Sequence, residues 1–420
     1  MKKRILGEIT VAPDKSISHR GVFFGSIAKG ITRIENFLTG EDCISTINCF
    51  RSLGVNIEQK GNTVTVYGKG ILKQPETVLN TGNSGTTTRL LCGLLSGYPI
   101  QTTLSGDDSL NKRPMKRVIE PLSLMGAEIS AKDGNFCPLT IQGKNRLKAV
   151  SYTLPVASAQ LKSALILAGL HADGATVLRE PELSRNHTEV MLRSMGADIQ
   201  SIGKEIRVNP IETLSPLELS VPGDISSAAF FIVAALITKG SELVIKNVGV
   251  NPTRTGIVTA LRKMGGNIKE ENKRIVCGEE VCDLYVTSSE LHGITIEGEI
   301  IPALIDEIPI LAVAAAAATG TTVVKDAREL RVKETDRIRA VCDMLTVAGV
   351  TFEEFEDGFS VTGAETVKGG IYESYGDHRM AMSEQILSLL SEEEFQIKDK
   401  ECVNISFPDF WGLFEQITKE

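Results

Sequence analysis

The stretch DKSISHRGVFFGSIAKGITRIENF, residues 14–37, contains the unit from which most of the chain is built. It opens with charged and hydroxyl side chains, continues as an apolar helix of small residues, turns at a glycine and ends in a β-type strand. Five further openings of this kind follow at intervals of about 70 residues, which predicts a repeated α/β architecture. They are GNSGTTTR from Gly82, SAQLKSA from Ser158, GDISSAA from Gly223, DEIPILA from Asp306 and GDHRMAM from Gly376.

A second helix recurs after the first, and its end carries a glycine of its own. Glycine at this position is typical of the left-handed residue that terminates a helix before the chain turns into a strand. The five copies are Leu53-Gly54-Val55, Met125-Gly126-Ala127, Met195-Gly196-Ala197, Met264-Gly265-Gly266 and Ala348-Gly349-Val350.

Six units divide naturally as three and three. The second half begins at Pro222-Gly223, after a polar, proline-containing stretch at residues 209–216. The strand at residues 4–11 has no repeat of its own, and the sixth unit is cut short soon after Asp409. We therefore predict one domain of residues 1–13 plus 223–420 and a second of residues 14–222. The active site is expected in the cleft between them, with two hinges that let the halves close on a ligand.

The starts of these helices favour an anionic substrate. Helix N-termini carry unpaired N–H groups and a partial positive charge, so several of them aimed at one cleft would bind phosphate or carboxylate. Cationic side chains stand near these starts at Lys15, Arg20, Arg89 and Arg379. The pattern predicts a small phosphorylated or carboxylated substrate.

Composition limits the partners of the chain. A net charge of −8 and a pI near 5.4 argue against a nucleic-acid surface, which needs a basic face. The longest apolar run, residues 308–320, is too short to span a bilayer, and the first residues lack the apolar stretch of a signal peptide. We expect a cytoplasmic monomer with no nucleic-acid or membrane partner.

The cysteines do not predict a metal or disulfide site. The chain has 8 cysteines, with no CxxC pair and no histidine partner at metal-binding spacing. Reduced, structural thiols in a reducing compartment are the expectation.

The first segment that carries chemistry is VAPDKSISHR, residues 11–20. Lys15 and Arg20 lie in the first turns of a helix and make a compact phosphate or carboxylate site, to which the hydroxyl of Ser16 adds a hydrogen bond. An ordinary solvated helix start is the alternative interpretation.

The second segment is LRVKETDRI, residues 330–338. Helical spacing predicts that Lys333 and Arg337 share one face with Glu334 beside it, so that an acid–base carboxylate lies among cations. A plain charged surface helix is the alternative.

The third segment is YGDHRMAM, residues 375–382. Asp377 is a plausible N-cap of the apolar helix that follows. Arg379 leads into Met and Ala residues and would face a buried surface unless it meets an anion. A helix-start role for His378 is as plausible as a part in proton transfer.

Together with LNTGNSGTTTRLL from Leu79, these segments resemble the 5-enolpyruvylshikimate-3-phosphate synthase family over essentially the whole chain. The resemblance implies two domains, each of three βαβαββ units around a pseudo-threefold axis, arranged as an inside-out α/β barrel. It implies transfer of the enolpyruvyl group of phosphoenolpyruvate to the 5-hydroxyl of shikimate 3-phosphate with release of phosphate. This is the sixth step of the shikimate pathway to chorismate and the aromatic amino acids. No metal or organic cofactor is implied, and glyphosate is the expected inhibitor.

The resemblance also implies the roles of individual residues. Asp306, Glu334 and Lys15 resemble the catalytic groups, with Glu334 serving the methylene carbon and Asp306 the attacking hydroxyl. The shikimate 3-phosphate ligands would be Lys15, Ser16, Arg20, Ser158, Gln160, Ser184, Asp306 and Lys333, with Arg185 as a further phosphate contact. The phosphoenolpyruvate ligands would be Lys15, Asn83, Gly85, Arg113, Gln160, Arg337 and Arg379.

Two positions depart from many relatives. Ile405 stands where a phosphate-binding lysine is common, and Ala159 stands where some relatives have a second serine. Both changes bear on affinity more than on the reaction.

Two other functions compete. UDP-N-acetylglucosamine enolpyruvyl transferases share the fold, but they carry a reactive cysteine in the loop that here reads SGDDSLNKRP, and they lack the DKSISHR opening. The second competitor is a non-catalytic anion-binding scaffold. Asp306 and Glu334 argue against it, because a mere anion binder needs no carboxylate facing its ligand.

Overall fold

The computed structural model describes residues 3–419, which form two compact units. The N-domain comprises Pro13–Val221 and Val276–Glu279. The C-domain comprises the described residues up to Ala12, Pro222–Ile275 and the described residues from Glu280 onward. The short segment 276–279, the tip of a long hairpin, was not anticipated from the sequence.

The N-domain contains six α-helices in its described residues, and three of them are almost entirely buried. The helices are α1 (Lys15–Ile27), α2 (Glu41–Ser52), α3 (Gly85–Ser96), α4 (Lys116–Leu124), α5 (Ala159–Gly169) and α6 (His187–Ser194). Helices α1, α3 and α5 are the first helices of the three repeats, and they are apolar over most of their surface because they lie in the core. A side chain at Gly93 of α3 would lie 2.0 Å from the Ala164 carbonyl oxygen of α5, so glycine permits this close packing.

Three similar four-stranded sheets surround these helices. Their orders are β13-β2-β4-β3, β5-β6-β8-β7 and β9-β10-β12-β11, and each contains one parallel pair followed by two antiparallel pairings. The strands are β2 (Lys29–Glu35), β3 (Asn56–Lys60), β4 (Thr63–Lys69), β5 (Leu79–Asn80), β6 (Gln101–Ser105), β7 (Glu128–Lys132), β8 (Phe136–Gln142), β9 (Ser151–Thr153), β10 (Thr176–Arg179), β11 (Ile199–Ile202), β12 (Glu205–Val208) and β13 (Glu218–Ser220).

The C-domain repeats this plan less regularly. Its helices are α7 (Ile225–Ile237), α8 (Gly256–Lys263), α9 (Ile301–Leu304), α10 (Ile308–Ala316), α11 (Arg337–Ala348), α12 (His378–Leu387) and α13 (Phe410–Ile417). Its strands are β1 (Arg4–Thr10), β14 (Glu242–Gly249), β15 (Asn267–Val276), β16 (Glu279–Thr287), β17 (Thr295–Ile296), β18 (Thr321–Val324), β19 (Thr351–Glu354), β20 (Phe359–Thr362), β21 (Gly370–Glu373), β22 (Phe395–Lys398) and β23 (Thr418–Lys419).

The sheets of the C-domain have five, four and two strands, in the orders β15-β16-β14-β1-β23, β17-β18-β20-β19 and β21-β22. Strand β1 is parallel to β14, with Leu6 opposite Glu242, and so joins the sheet of the fourth repeat. The two-stranded sheet belongs to the shortened sixth repeat. An α/β protein of two domains built from repeated units is therefore confirmed.

Five of the six predicted helix openings begin with a side-chain cap. The sixth, from Asp306, lies in the 3-10 turn Ile305–Glu307, and within the described residues α10 begins at Ile308 without such a cap. Asp14, Ser84, Ser158, Asp224 and Asp377 each accept a hydrogen bond from a backbone N–H in the first turn of their helices. The middle residue of each of the five recurring motifs is a glycine with positive φ, as at Gly349, which caps α11 with φ +70°.

Candidate active site

Each domain gathers one set of the predicted site residues, and the set of the C-domain centres on Arg337. This arginine begins α11 and is 1% exposed at its side chain. Its Nε donates to Asp377 Oδ2 at 2.7 Å, its Nη2 to Glu334 Oε2 at 2.7 Å, and its Nη1 to Asp306 Oδ1 at 3.3 Å. One buried guanidinium thus holds two predicted catalytic carboxylates in a fixed relation.

The electrostatics of this set keep Arg337 charged. Burial by itself would lower the pKa of the guanidinium, but the negative charges of Asp377, Glu334 and Asp306 outweigh burial and raise the pKa above its ordinary value. The side chains of Asp306 and Glu334 keep 13% and 24% exposure, so both remain within reach of a substrate.

Asp306 is held by three cations from two parts of the chain, Lys333 and Arg337 from one and Arg379 from the other. It lies in the 3-10 turn Ile305–Glu307 before α10, and its Oδ1 also accepts from Lys333 Nζ at 3.1 Å. Arg379 Nη1 donates to the backbone oxygen of Asp306 at 3.1 Å and lies 3.6 Å from Glu307. The guanidinium of Arg379 therefore contacts carboxylate and carbonyl oxygens just before α10 begins. These contacts balance a cation that leads into the Met and Ala residues of α12.

One local prediction is wrong. Residues 330–338 do not form a single helix: a 3-10 turn spans Arg328–Val332, Lys333 is extended, and α11 begins only at Arg337. The break arises because Asp336 acts as N-cap and accepts from Arg339 N, which sets a non-helical backbone at that residue. Lys333 and Arg337 still converge on Asp306, but through tertiary folding and not through a shared helix face.

Asp377 was predicted only as a helix cap. It does cap α12, accepting from Arg379 N at 2.9 Å, but it also binds Arg337. Helix spacing gave no signal for this second contact because the two residues are 40 positions apart. His378, the next residue, is 2% exposed.

In the N-domain, several predicted ligands meet where α3 begins. Ser84 caps the helix, and Gly85 is its first residue. Arg113 Nη2 donates to Asn83 Oδ1 at 2.5 Å, while a methyl group on Gly85 would lie 3.5 Å from Arg113 Nη1. Asn83, Gly85 and Arg113 therefore form one small polar pocket wall.

Arg89 and Gln160 extend this wall. Arg89 Nη1 donates to Gln160 Oε1 at 2.6 Å, and Gln160 Nε2 donates to Thr86 Oγ1 at 2.9 Å. Arg89 was singled out as a cation near a helix start but not as a site residue. Arg89 lies one helical turn after Gly85, and this position in the sequence could have identified it as a site residue.

A second group of predicted ligands lies on α1. Lys15 Nζ is 2.5 Å from Asp42 Oδ2, and the lysine side chain remains 21% exposed. Arg20 is 3% exposed and donates to Thr188 Oγ1 at 2.7 Å, to Ser163 Oγ at 2.9 Å and to the Ser16 oxygen at 3.0 Å. Arg20 thus joins α1 to α5 and α6, whereas the ammonium group of Lys15 pairs with Asp42 and stays partly exposed.

A buried polar chain connects α1 with the start of α3. His19 Nδ1 lies 2.7 Å from Thr46 Oγ1, which lies 2.7 Å from Thr87 Oγ1, which donates to the Ser84 cap at 2.7 Å. Burial, with the charges of Lys15 and Arg20, holds the pKa of His19 well below its ordinary value, so the imidazole is neutral. The sequence gave no signal for this chain.

Three further predicted ligands are Ser158, Ser184 and Arg185, and the last of these is partly exposed. Ser158 caps α5 by accepting from Leu161 N at 3.4 Å. Ser184 lies in the segment between β10 and α6 and is 4% exposed.

Two kinds of feature are absent from residues 3–419. No group of three or more His, Cys, Asp or Glu side chains in this part of the chain could hold a metal ion. No helix in it is both long and apolar enough to cross a membrane.

Comparisons with known proteins identify the family of the chain. The family model for EPSP synthase (3-phosphoshikimate 1-carboxyvinyltransferase) matches residues 1–414. A protein named 3-phosphoshikimate 1-carboxyvinyltransferase from Thermoanaerobacter sp. (strain X514) is 54% identical over 418 residues, covering 99% of each chain. One of the same name from Oceanobacillus iheyensis is 51% identical over 416 residues, covering 98% of this chain and 97% of the relative.

Solved structures give the same result. An EPSP synthase from Acinetobacter baumannii superposes with a TM-score of 0.88 at 43% identity, covering 100% of this chain and 98% of that one. The enolpyruvyl transferase NikO from Streptomyces tendae has a TM-score of 0.78 at 17% identity over 99% of this chain and 95% of its own, a similarity of fold. The chain belongs to the EPSP synthase family.

Proposed function

We propose that the two sets of residues together transfer the enolpyruvyl group of phosphoenolpyruvate to the 5-hydroxyl of shikimate 3-phosphate, with release of phosphate. The observation that supports this most directly is Arg337, which holds Glu334 and Asp306 at 2.7 and 3.3 Å. The reaction needs one group that protonates carbon and another that takes a proton from oxygen. Two carboxylates fixed by one cation can supply both.

In the addition step, a proton passes from the carboxyl group of Glu334 to the methylene carbon of phosphoenolpyruvate. The 5-hydroxyl oxygen bonds to the neighbouring carbon and gives its proton to Asp306. The tetrahedral product then loses phosphate, which takes the proton held by Asp306. The Glu334 carboxylate removes a methyl proton, which restores both the carbon–carbon double bond and the carboxyl group of Glu334. Lys15 stabilises negative charge as it develops on both substrates.

The N-domain supplies most of the anion ligands in this proposal. Asn83, Gly85, Arg113 and Gln160 bind phosphoenolpyruvate. The guanidinium groups of Arg113 and Arg89 and the amides of Asn83 and Gln160 lie together at the start of α3 and support this assignment. Lys15, Ser16, Arg20, Ser158 and Ser184 position shikimate 3-phosphate. Since Arg20 donates to three protein oxygens, part of its effect is to hold α1 in place.

The C-domain completes both sites. Arg337 and Arg379 act on phosphoenolpyruvate, and Lys333 and Asp306 act on shikimate 3-phosphate. The proposal therefore requires that the two domains close on the substrates, with the site in the cleft between them. A monomer in the cytoplasm, predicted from sequence, would suffice, since each predicted ligand is supplied by one chain.

Phosphate release upon mixing the protein with both substrates tests the function. We expect release only when shikimate 3-phosphate and phosphoenolpyruvate are both present, and a loss of at least about 100-fold in Asp306→Asn. No release above the single-substrate controls would overturn the proposal. Equal release with UDP-N-acetylglucosamine as acceptor would favour the related transferase.

A further inference from the structure

A charged cluster inside the N-domain has no part in the chemistry above. It consists of Lys162 on α5, Glu180 directly after β10, and Glu189 on α6, with side chains 1%, 1% and 2% exposed. Lys162 Nζ lies 2.9 Å from Glu180 Oε2 and 2.8 Å from Glu189 Oε1. Burying three charges costs a large desolvation free energy, and such a cluster is a weak source of stability. The contacts that the cluster makes with Ser184 therefore suggest a role other than stability.

The cluster holds Ser184 from three sides. Glu180 Oε1 accepts a hydrogen bond from Ser184 N at 3.2 Å, and it accepts a short one from Ser184 Oγ. Lys162 Nζ donates to the Ser184 carbonyl oxygen at 3.1 Å. Two buried charged groups, Glu180 and Lys162, thus fix the backbone N–H, the backbone oxygen and the side chain of Ser184. Glu189 contacts Lys162, but within the part of the chain that the structure describes it makes no hydrogen bond to Ser184.

The same two helices also position Arg20. Ser163 follows Lys162 on α5, and Thr188 precedes Glu189 on α6. Both hydroxyls accept from Arg20, and they lie 2.7 Å from each other. Two residues assigned to the acceptor substrate, Ser184 and Arg20, are therefore held by adjacent positions of α5 and α6.

We infer that Lys162 and Glu180 are positioning residues that fix the Ser184 segment for binding shikimate 3-phosphate, an inference that rests on the proposed function. Glu189 is a charge partner that keeps Lys162 in place. The effect should appear in the affinity for the acceptor, because none of the three carboxyl or ammonium groups is assigned to the reacting atoms.

A matched pair of variants separates the positioning of Ser184 from the loss of a negative charge beside Lys162. Glu180→Met and Glu189→Met each remove one carboxylate and leave Lys162 with one carboxylate partner, but only Glu180→Met removes carboxylate contacts to Ser184. We expect Glu180→Met to raise the Kd and KM for shikimate 3-phosphate at least about tenfold, with kcat changed less than about threefold, since two hydrogen bonds are lost. Glu189→Met should change each constant less than about threefold. Glu180→Gln keeps an acceptor oxygen and should restore most of the affinity.

Amide hydrogen exchange of residues 180–187 provides a readout that does not depend on substrate. Exchange should be faster in Glu180→Met than in Glu189→Met, at equal melting temperature. Unchanged exchange in Glu180→Met, unchanged acceptor affinity, or equal losses in both methionine variants would each overturn the positioning role. If the wild-type protein does not bind shikimate 3-phosphate, the proposed function fails instead, while the exchange data still decide whether Glu180 fixes the segment.

Discussion

Arg337 Nε donates to Asp377 Oδ2 at 2.7 Å, while Asp377 Oδ1 accepts from Arg379 N and caps α12. One carboxylate therefore fixes the starts of two helices, α11 and α12. Both side chains are buried, with 0% and 1% exposure for Asp377 and Arg337. Loss of one partner leaves the other charge buried and uncompensated, which is strongly destabilising.

Asp377→Asn should lower kcat at least about tenfold, because asparagine can still cap α12 but no longer balances the charge of Arg337. Arg337 would then bind Glu334 and Asp306 more tightly and disturb the proposed acid–base pair. Steady-state kinetics and thermal unfolding measure the two effects. Asp336→Asn is the control, since the Asp336 side chain caps α11 and pairs with Arg331, and within residues 3–419 it forms no ion pair with Arg337. A wild-type kcat in Asp377→Asn would contradict this account.

Glu334→Gln should abolish most turnover while preserving acceptor binding. Glutamine keeps the size and a hydrogen-bonding oxygen for Arg337 but cannot carry the proton, so we expect kcat to fall at least about 100-fold. Calorimetry should give a Kd for shikimate 3-phosphate within about threefold of wild type. Glu365→Gln, at an exposed position of the same domain, should leave both quantities unchanged. Normal turnover in Glu334→Gln removes this residue from the mechanism.

Gly85→Ala should weaken inhibition by glyphosate more than binding of phosphoenolpyruvate. The added methyl would lie 2.9 Å from Arg89 Nη1, which is already bonded to Gln160, so it would narrow the pocket. The inhibitor is longer than the substrate and should suffer the larger clash. The measurement is the ratio of the glyphosate Ki to the KM for phosphoenolpyruvate. Gly412→Ala is the control, because a methyl there meets nothing within 4 Å. An unchanged ratio in Gly85→Ala would show that Gly85 does not line the donor site.

The stability of the protein should depend on pH through Glu384 of α12. This side chain is fully buried, and neither of its carboxyl oxygens has a hydrogen-bond partner within residues 3–419. Burial, with the negative charges of Glu373 and Asp377, raises the pKa of Glu384 from 4.5 to about 8. The Tyr372 hydroxyl and Cys402 thiol, which also lie near Glu384, have raised pKa values and stay neutral below pH 9.

Because the folded protein binds this proton more tightly than the unfolded chain, the free energy of unfolding should fall as the pH rises from 4.5 to about 8. The loss is about 1.4 kcal/mol for each pH unit in that window. Glu384→Gln should flatten this part of the profile and raise the melting temperature at pH 9. Glu392→Gln, at an exposed site, should leave the profile unchanged. Parallel profiles for wild type and Glu384→Gln would refute the assignment.

Binding of shikimate 3-phosphate should make the protein more compact. Cations contributed by both domains are expected to repel one another until an anionic ligand lies between them. Small-angle scattering should show a smaller radius of gyration at saturation than without ligand. Lys15→Met serves as the comparison, since it removes a partly buried cation, with 21% of its side chain exposed, that is expected to contact the ligand. No compaction of the wild-type protein at saturation would count against closure.

The helix starts and ends were predictable from sequence because their interactions are short. A cap joins residues two or three positions apart, as Asp14 to Ile17 or Ser84 to Thr87, and therefore appears as a local pattern. The repeat was readable for the same reason, since each unit carries its own caps, turn glycine and apolar helix. The wrong helix at residues 330–338 shows the limit of such patterns. The charged residues there have helical spacing, but Asp336 acts as an N-cap, so the helix begins only at Arg337.

The sequence by itself determined the α/β class, the repeated units, the family and the chemical types of the site residues. Only the tertiary structure decided which charges meet. Arg337 finds its partners 31 and 40 positions away at Asp306 and Asp377, and Lys162 holds Ser184 from 22 positions away. The physical reason is that a buried ion pair depends on desolvation and on distances set by packing of separate elements, which leave no periodic trace along the chain.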